Sequence, residues 1–161
     1  MATESDWAQL RQAQLETLSL PNTGMAVTID LGEWNDIHPL NKKDVSNRLA
    51  RLACKLAYEE DITELSPIPV KHKFSKKNVT VYFSGKSLVS KDGEALSLFE
   101  ISEDGKEFHM AQAKIKGDKV IIWNDNLGNS TAVRYAWSDN PAKANLFSSE
   151  GLPASPFEIR E

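Results

Sequence analysis

The chain has 161 residues, 40% of them hydrophobic and 26% charged, with a formal net charge of −4; that is enough for one medium domain or two small ones sharing a core, and it excludes wholesale disorder. The acidic balance argues against nucleic acid as a partner, because Lys42-Lys43 and Lys76-Lys77 are isolated pairs rather than a phosphate-tracking cluster. Cys54 is the only cysteine, which excludes internal disulfides and multi-cysteine metal sites, and no apolar run approaches the roughly 20 residues of a membrane-spanning helix.

The opening Met-Ala-Thr-Glu-Ser-Asp-Trp lacks the basic-then-apolar order of a signal peptide, so no secretory leader is expected there. The first segment is predicted helical. Thr3 or Ser5 can cap it, Asp6 favours its first turn, and Trp7, Leu10, Leu15 and Leu18 fall near one face. Leu20 to Gly24 stops it with turn chemistry. Met25 to Leu31 is short, apolar and β-branched, which predicts a strand buried on both faces, as in a parallel sheet. A loop follows to Leu40. A second helix is then predicted from Asn41 to about Tyr58, with Val45, Leu49, Leu52, Ala53 and Leu56 forming its apolar stripe.

Helix, strand, loop and helix make a piece of a layered α/β domain. A lone parallel-type strand lacks neighbours for its backbone groups, so the rest of the sheet is expected to come from elsewhere. Past Glu59-Glu60-Asp61 the character changes. Pro67 and Pro69 mark an extended linker, and the chain beyond is β-rich. Strands are predicted at Val79–Ser84, Leu96–Ile101, Phe108–Ile115, Val120–Trp123 and Thr131–Trp137. The breakers between them, Lys91-Asp92-Gly93, Glu103-Asp104-Gly105, Lys116-Gly117-Asp118 and Leu127-Gly128-Asn129, are hairpin signals. The expected fold is α+β: an α/β piece over residues 1–62 and an antiparallel β-sandwich-like domain over 63–161.

The stretch "LPNTGMAVTIDLGEWNDIHPLNKKDVSNRLA" closely resembles the C-terminal part of the catalytic domain in bacterial sialate O-acetylesterases, which are SGNH-type carbohydrate esterases. The resemblance continues through "FEISEDGKEFHMAQAKIKGDKVII" and "AVRYAWSDNPAKANLFSSEGLPASPF", and so covers essentially the whole chain. It implies a flavodoxin-like SGNH domain for the first part and removal of O-acetyl groups from sialic acid or a related acetylated sugar. It also implies that His38 is the catalytic base. Pro39 fits that role physically, since it pushes His38 into an extended conformation, and an imidazole can accept and return the serine proton.

The orienting acid stays open. The family commonly carries Asp-x-x-His, which puts the acid at Asn35, whereas this chain has Asn35-Asp36-Ile37-His38. Asp36 serves only if the loop brings its carboxylate to Nδ1; Glu33, Asp30 or a backbone carbonyl are alternatives, as is a Ser–His dyad. The nucleophile itself has no counterpart. Nothing matches the family's Gly-Gln-Ser-Asn-type block, and no Gly-x-Ser-x-Gly elbow occurs. The chain therefore reads as the last third of a larger esterase, inactive by itself. The implied partners are an O-acetylated sugar and the remainder of the catalytic domain, with self-association or a complementing chain expected because apolar faces are left under-covered.

Blander readings compete at each residue. On the bare sequence His38 reads as a structural loop histidine. His72 and His109 read as surface or satisfied side chains, and neither a metal nor a cofactor is expected. Trp123, Tyr135 and Trp137 can form a sugar-stacking platform, although aromatics in such strands are more often core. Trp34 is the better substrate-facing aromatic. Arg134 reads as solvent-facing or paired with an acid in preference to a sugar-carboxylate clamp, and Cys54 as a small apolar group. The rival to the esterase reading is a non-catalytic carbohydrate-binding or subunit-docking β module.

Overall fold

The computed structural model describes residues 6–33, 35–62, 65–85 and 87–161. Helix α1 spans Trp7–Glu16 and begins at Asp6, whose carboxylate accepts the Gln9 N–H at 3.3 Å. The predicted caps Thr3 and Ser5 lie outside the described residues. A 3-10 turn at Thr17–Ser19 ends this element. Helix α2 spans Lys42–Ala57 and is capped reciprocally: Asn41 accepts the Asp44 N–H at 3.2 Å and donates its side-chain amide to the Asp44 carboxylate at 2.8 Å. Asp44 also complements the positive end of the helix.

Between the helices the strand expected at Met25–Leu31 is not formed. The chain runs without a ladder partner through Thr28 and then turns, closed by Leu31 N–H to Thr28 C=O at 3.0 Å. A parallel strand needs a neighbour to take its N–H and C=O groups, and no described strand lies beside this one. The segment packs on α2 instead. Gly24 permits that contact, because a Cβ there would stand 2.8 Å from Leu56 Cδ1 and 3.2 Å from Leu52 Cδ2. The buried face of α2 is turned by one position from the predicted stripe: Arg48 is buried, while Leu49 is 50% exposed.

The remaining chain forms ten short strands among the described residues: β1 (Pro69–Ser75), β2 (Asn78–Phe83), β3 (Leu88–Ser90), β4 (Phe99–Ser102), β5 (His109–Met110), β6 (Gln112–Lys116), β7 (Lys119–Trp123), β8 (Ala132–Tyr135), β9 (Leu146–Ser148) and β10 (Phe157–Arg160). They make two four-stranded sheets, β1-β2-β7-β6 and β10-β8-β4-β5, and a separate β3-β9 pair, all antiparallel. Val79, Val81 and Phe83 of β2 alternate inward and join Phe99, Ile101, Val133, Tyr135 and Phe157 from the other sheet in one core. The expected sandwich-like α+β fold is therefore present.

Two of the four breakers close true hairpins, Gly117-Asp118 between β6 and β7 and Asp104-Gly105 between β4 and β5. The other two connect strands that do not pair, so a turn sequence there reverses the chain without fixing its neighbour. Helix α1 docks on the sandwich. Gln12 accepts the Glu158 N–H of β10 at 3.0 Å, Arg11 donates to the Ser138 carbonyl at 2.8 Å, and Leu15 packs against the core. Among the described residues no helix is long and apolar enough to cross a membrane.

Candidate functional site

The loop from Asp30 to Asn41 carries the catalytic histidine that the sequence resemblance implies, and its backbone is held at several points. At its base Arg48 reaches across from α2, donating to the Val27 carbonyl at 2.5 Å and to both oxygens of Asp30 at 2.7 and 2.8 Å. Further on, Asp36 N–H donates to the Glu33 carbonyl at 3.2 Å. Two carboxylates then secure the amides that flank Pro39. Asp36 Oδ1 accepts the His38 N–H at 2.7 Å, and Glu33 Oε1 accepts the Leu40 N–H at 3.1 Å. Proline brings no N–H of its own, so both free donors around it are satisfied locally.

This geometry assigns the nearby acids to the main chain rather than to the imidazole. Asp36 does not bend back to Nδ1, Glu33 is committed to Leu40, and Asp30 is committed to Arg48. The His38 side chain is exposed, and among the described residues its ring makes no hydrogen bond, to a serine or to any other group. Trp34, expected to face substrate, lies outside the described residues.

The loop borders an open cleft of about 780 Å³. Glu33, Asp36 and Ile37 contribute from the loop, Arg11 from α1 and Asp139 from the β8–β9 connection. Burial lowers the Arg11 guanidinium from its ordinary value, with Asp139 acting in the opposite direction. Ser155 also lines the cleft, but it is buried and its hydroxyl donates to the Pro156 carbonyl at 3.0 Å. Nothing in this set supplies an activated serine.

The other candidates separate cleanly. Tyr135 is core, fully buried, with its hydroxyl accepting the Leu146 N–H at 3.0 Å. Trp123 and Trp137 are half-buried. Arg134 pairs with Glu100 through Nε at 2.8 Å and Nη2 at 3.2 Å, and its guanidinium lies 3.9 Å from the centre of the Phe108 ring. That uses the fork a sugar carboxylate would need. Burial, reinforced by the charge and hydrogen bond of Glu60, pushes the half-buried Cys54 thiol upward, the wrong direction for a nucleophile. His72 packs edge-on to Phe74 at 5.7 Å and His109 is exposed on β5. No group of three metal-binding side chains occurs among the described residues.

Sequence reasoning missed Arg48, the residue that fixes the loop's base. The signal was present: an arginine three residues after Val45 and four before Leu52 sits inside the helix's inward face, and a cation there needs a carboxylate partner.

With this geometry in hand, the chain superposes over 97% of its length on a solved structure, with a TM-score of 0.91 and 42% sequence identity. The match is to a carbohydrate acetylesterase. That protein is XAC1771 from Xanthomonas citri, described as novel. The similarity supports the carbohydrate-esterase side of the resemblance. The chain spans 37% of the length of XAC1771. No protein-family model matches the chain, and no curated relative does.

Proposed function

We propose that this chain is the C-terminal part of a carbohydrate acetylesterase that removes O-acetyl groups from sialic acid or a related sugar. Residues 1–62 contribute the end of the SGNH domain and residues 63–161 a sandwich domain. The observation that carries this reading is the 42% identity to a carbohydrate acetylesterase across 97% of the chain. In this reading His38 is the general base. It takes the proton of a serine supplied by residues outside this chain as the hydroxyl attacks the acetyl carbonyl, and returns it to the departing sugar hydroxyl. Asp36 holds the histidine's main chain at the rim of the cleft, which Asp36 and Ile37 line and the His38 ring does not. A carbonyl or carboxylate from outside these residues can then meet Nδ1, or the pair works as a Ser–His dyad.

The test has two arms. The chain alone, incubated with O-acetylated sialic acid, is expected to release no acetate. The same chain substituted for the matched segment of XAC1771 is expected to give an active esterase that loses activity by at least a hundredfold on His38→Ala. An active chimera indifferent to His38→Ala overturns the base assignment, and acetate release by the chain alone overturns the fragment reading.

A further inference from the structure

The outer face of the β1-β2-β7-β6 sheet gathers positive charge that no carboxylate pairs with among the described residues. Strand alternation sends Phe74, Val79, Val81, Ile115 and Val120 toward the core and Lys71, Lys73, Lys114, Lys116 and Lys119 to the opposite side. Pairing register then lines these up. One row reads Lys71, Tyr82, Lys119, Lys116 across the four strands, and the next reads Lys73, Thr80, Ile121, Lys114. The rows step at the ~4.8 Å strand spacing and lie about 7 Å apart along the strands. The β1–β2 turn adds Lys76 and Lys77 at one corner.

Acids are scarce in the segments that build this face. Asp118, in the β6–β7 turn, is the one carboxylate within residues 69–83 and 112–123. None of the five outward lysines forms an ion pair among the described residues, where the pairs are Arg48–Asp30, Arg134–Glu100 and Arg160–Glu158. Lys116 and Lys119 stand directly opposite each other, an arrangement that costs stability. Lys71 and Lys119 flank the Tyr82 ring at 5.8 and 5.2 Å, which fixes two ammonium groups on the sheet surface. A whole chain of net charge −4 thus carries a local positive plane.

We propose that this face binds an anionic glycan of the polyuronate type, carrying one carboxylate per sugar residue and lying across the strands. In the first row the lysines fall two and then one strand spacing apart, about 10 and 5 Å, which is the scale of two and one sugar residues. Nucleic acid fits less well, since duplex DNA carries a charge every ~1.7 Å and the chain's own negative excess opposes so dense a polyanion. Its readers also favour arginine, whereas every cation in these rows is lysine. Trp123 shares this side of the sheet by alternation with Lys119 and stands opposite Gln112. The pair offers an indole plane for a sugar's C–H face and an amide for its hydroxyls. The proposal rests on the carbohydrate reading above for its ligand class but not on esterase chemistry.

The test titrates the 161-residue chain with polygalacturonate at 50 and 200 mM salt, alongside dextran, polyglutamate and single-stranded DNA. Polygalacturonate is expected to bind with affinity falling about tenfold over that salt range, and dextran is expected not to bind. The Lys71→Gln/Lys116→Gln/Lys119→Gln variant is expected to lose at least about tenfold in affinity, and Lys42→Gln/Lys43→Gln on α2 to retain it. No binding at 50 mM salt, undiminished binding by the triple variant, equal binding of dextran, or tighter binding of polyglutamate or DNA overturns the proposal. Acetate release plays no part in the titration, so glycan binding without esterase activity in the chimera removes the catalytic reading alone, and the reverse result removes this one alone.

Discussion

Arg48 and Asp30 meet as a two-pronged ion pair, Nη1 to Oδ1 at 2.7 Å and Nη2 to Oδ2 at 2.8 Å, and the same Nη1 holds the Val27 carbonyl. Both side chains are largely shielded, at 10% and 15% exposure. The pair does here what a sheet ladder does elsewhere: it gives the polar groups of an unpaired extended segment a partner.

Removing one member leaves the other buried without a partner. Arg48→Ala is therefore expected to cost the α2–loop unit about 3–5 kcal/mol. Amide exchange should read this as lost protection over residues 24–40, with β2 and β7 unaffected. Arg48→Lys should recover only part of it, because an ammonium cannot span two carboxylate oxygens and a carbonyl in one plane. Full protection in Arg48→Lys would show that charge alone suffices.

Tyr135 ties the second sheet to the β3–β9 pair through its hydroxyl, which accepts the Leu146 N–H at 3.0 Å. Tyr135→Phe keeps the ring and orphans that buried donor, at an expected cost of about 1–3 kcal/mol in urea unfolding. Burial also pushes the phenol above its ordinary value. The neutral form is therefore favoured in the fold, and stability should fall as pH rises past the unfolded value near 10, when only the unfolded chain ionises. A spectroscopic titration should show one tyrosine that ionises only on alkaline unfolding.

The sandwich was legible in the sequence because its signals are local. Val79, Val81 and Phe83 alternate with Thr80 and Tyr82, and Gly117-Asp118 makes a two-residue turn whose partners are adjacent in sequence. The short strands β3 and β9 were not legible: Leu88–Ser90 and Leu146–Ser148 are far apart in the chain and too brief to show a period. Met25–Leu31 misled in the other direction. Its β-branched, apolar run has strand character, but strand formation depends on a neighbour that the segment itself cannot reveal. At the site, Pro39 and Asp36 announced a constrained histidine, whereas the choice of Asp36 for the main-chain N–H over the ring is set by a turn geometry that spacing does not encode. The lysine rows were hidden for a related reason. Lys71 and Lys116 are distant in sequence and fall in one row only through register across four strands.

Asp104 organises the turn between β4 and β5. Its carboxylate accepts the N–H groups of Glu107 and Lys106 and the hydroxyl of Ser102. These hydrogen bonds favour the charged form and hold its pKa down to about 2. The stability these bonds contribute is complete above the unfolded carboxylate value near 3.9 and is lost as pH falls from there through about 2. Asp104→Asn should therefore unfold with a weaker acid dependence than the native chain between pH 4 and 2, and the native Asp104 carboxyl carbon should titrate with a midpoint near 2 by NMR. A midpoint near 4 would mean the turn does not hold the carboxylate in solution.

Exposed apolar side chains cluster on α2 and the loop before it. Leu49 is 50% and Leu56 43% exposed, and the preceding loop shows Ile37 at 77% and Leu40 at 85%. Scattered exposed leucines are ordinary, but these lie on one helix and the loop leading into it, and burying such surface contributes about 25 cal/mol per Å². Sedimentation velocity on the isolated chain is expected to show association that grows with concentration. Leu49→Ser/Leu56→Ser is expected to suppress it without moving the unfolding midpoint of the sandwich, since neither side chain belongs to the core shared by the two sheets. A chain that sediments as a monomer at every concentration would mean that this apolar side does not drive self-association.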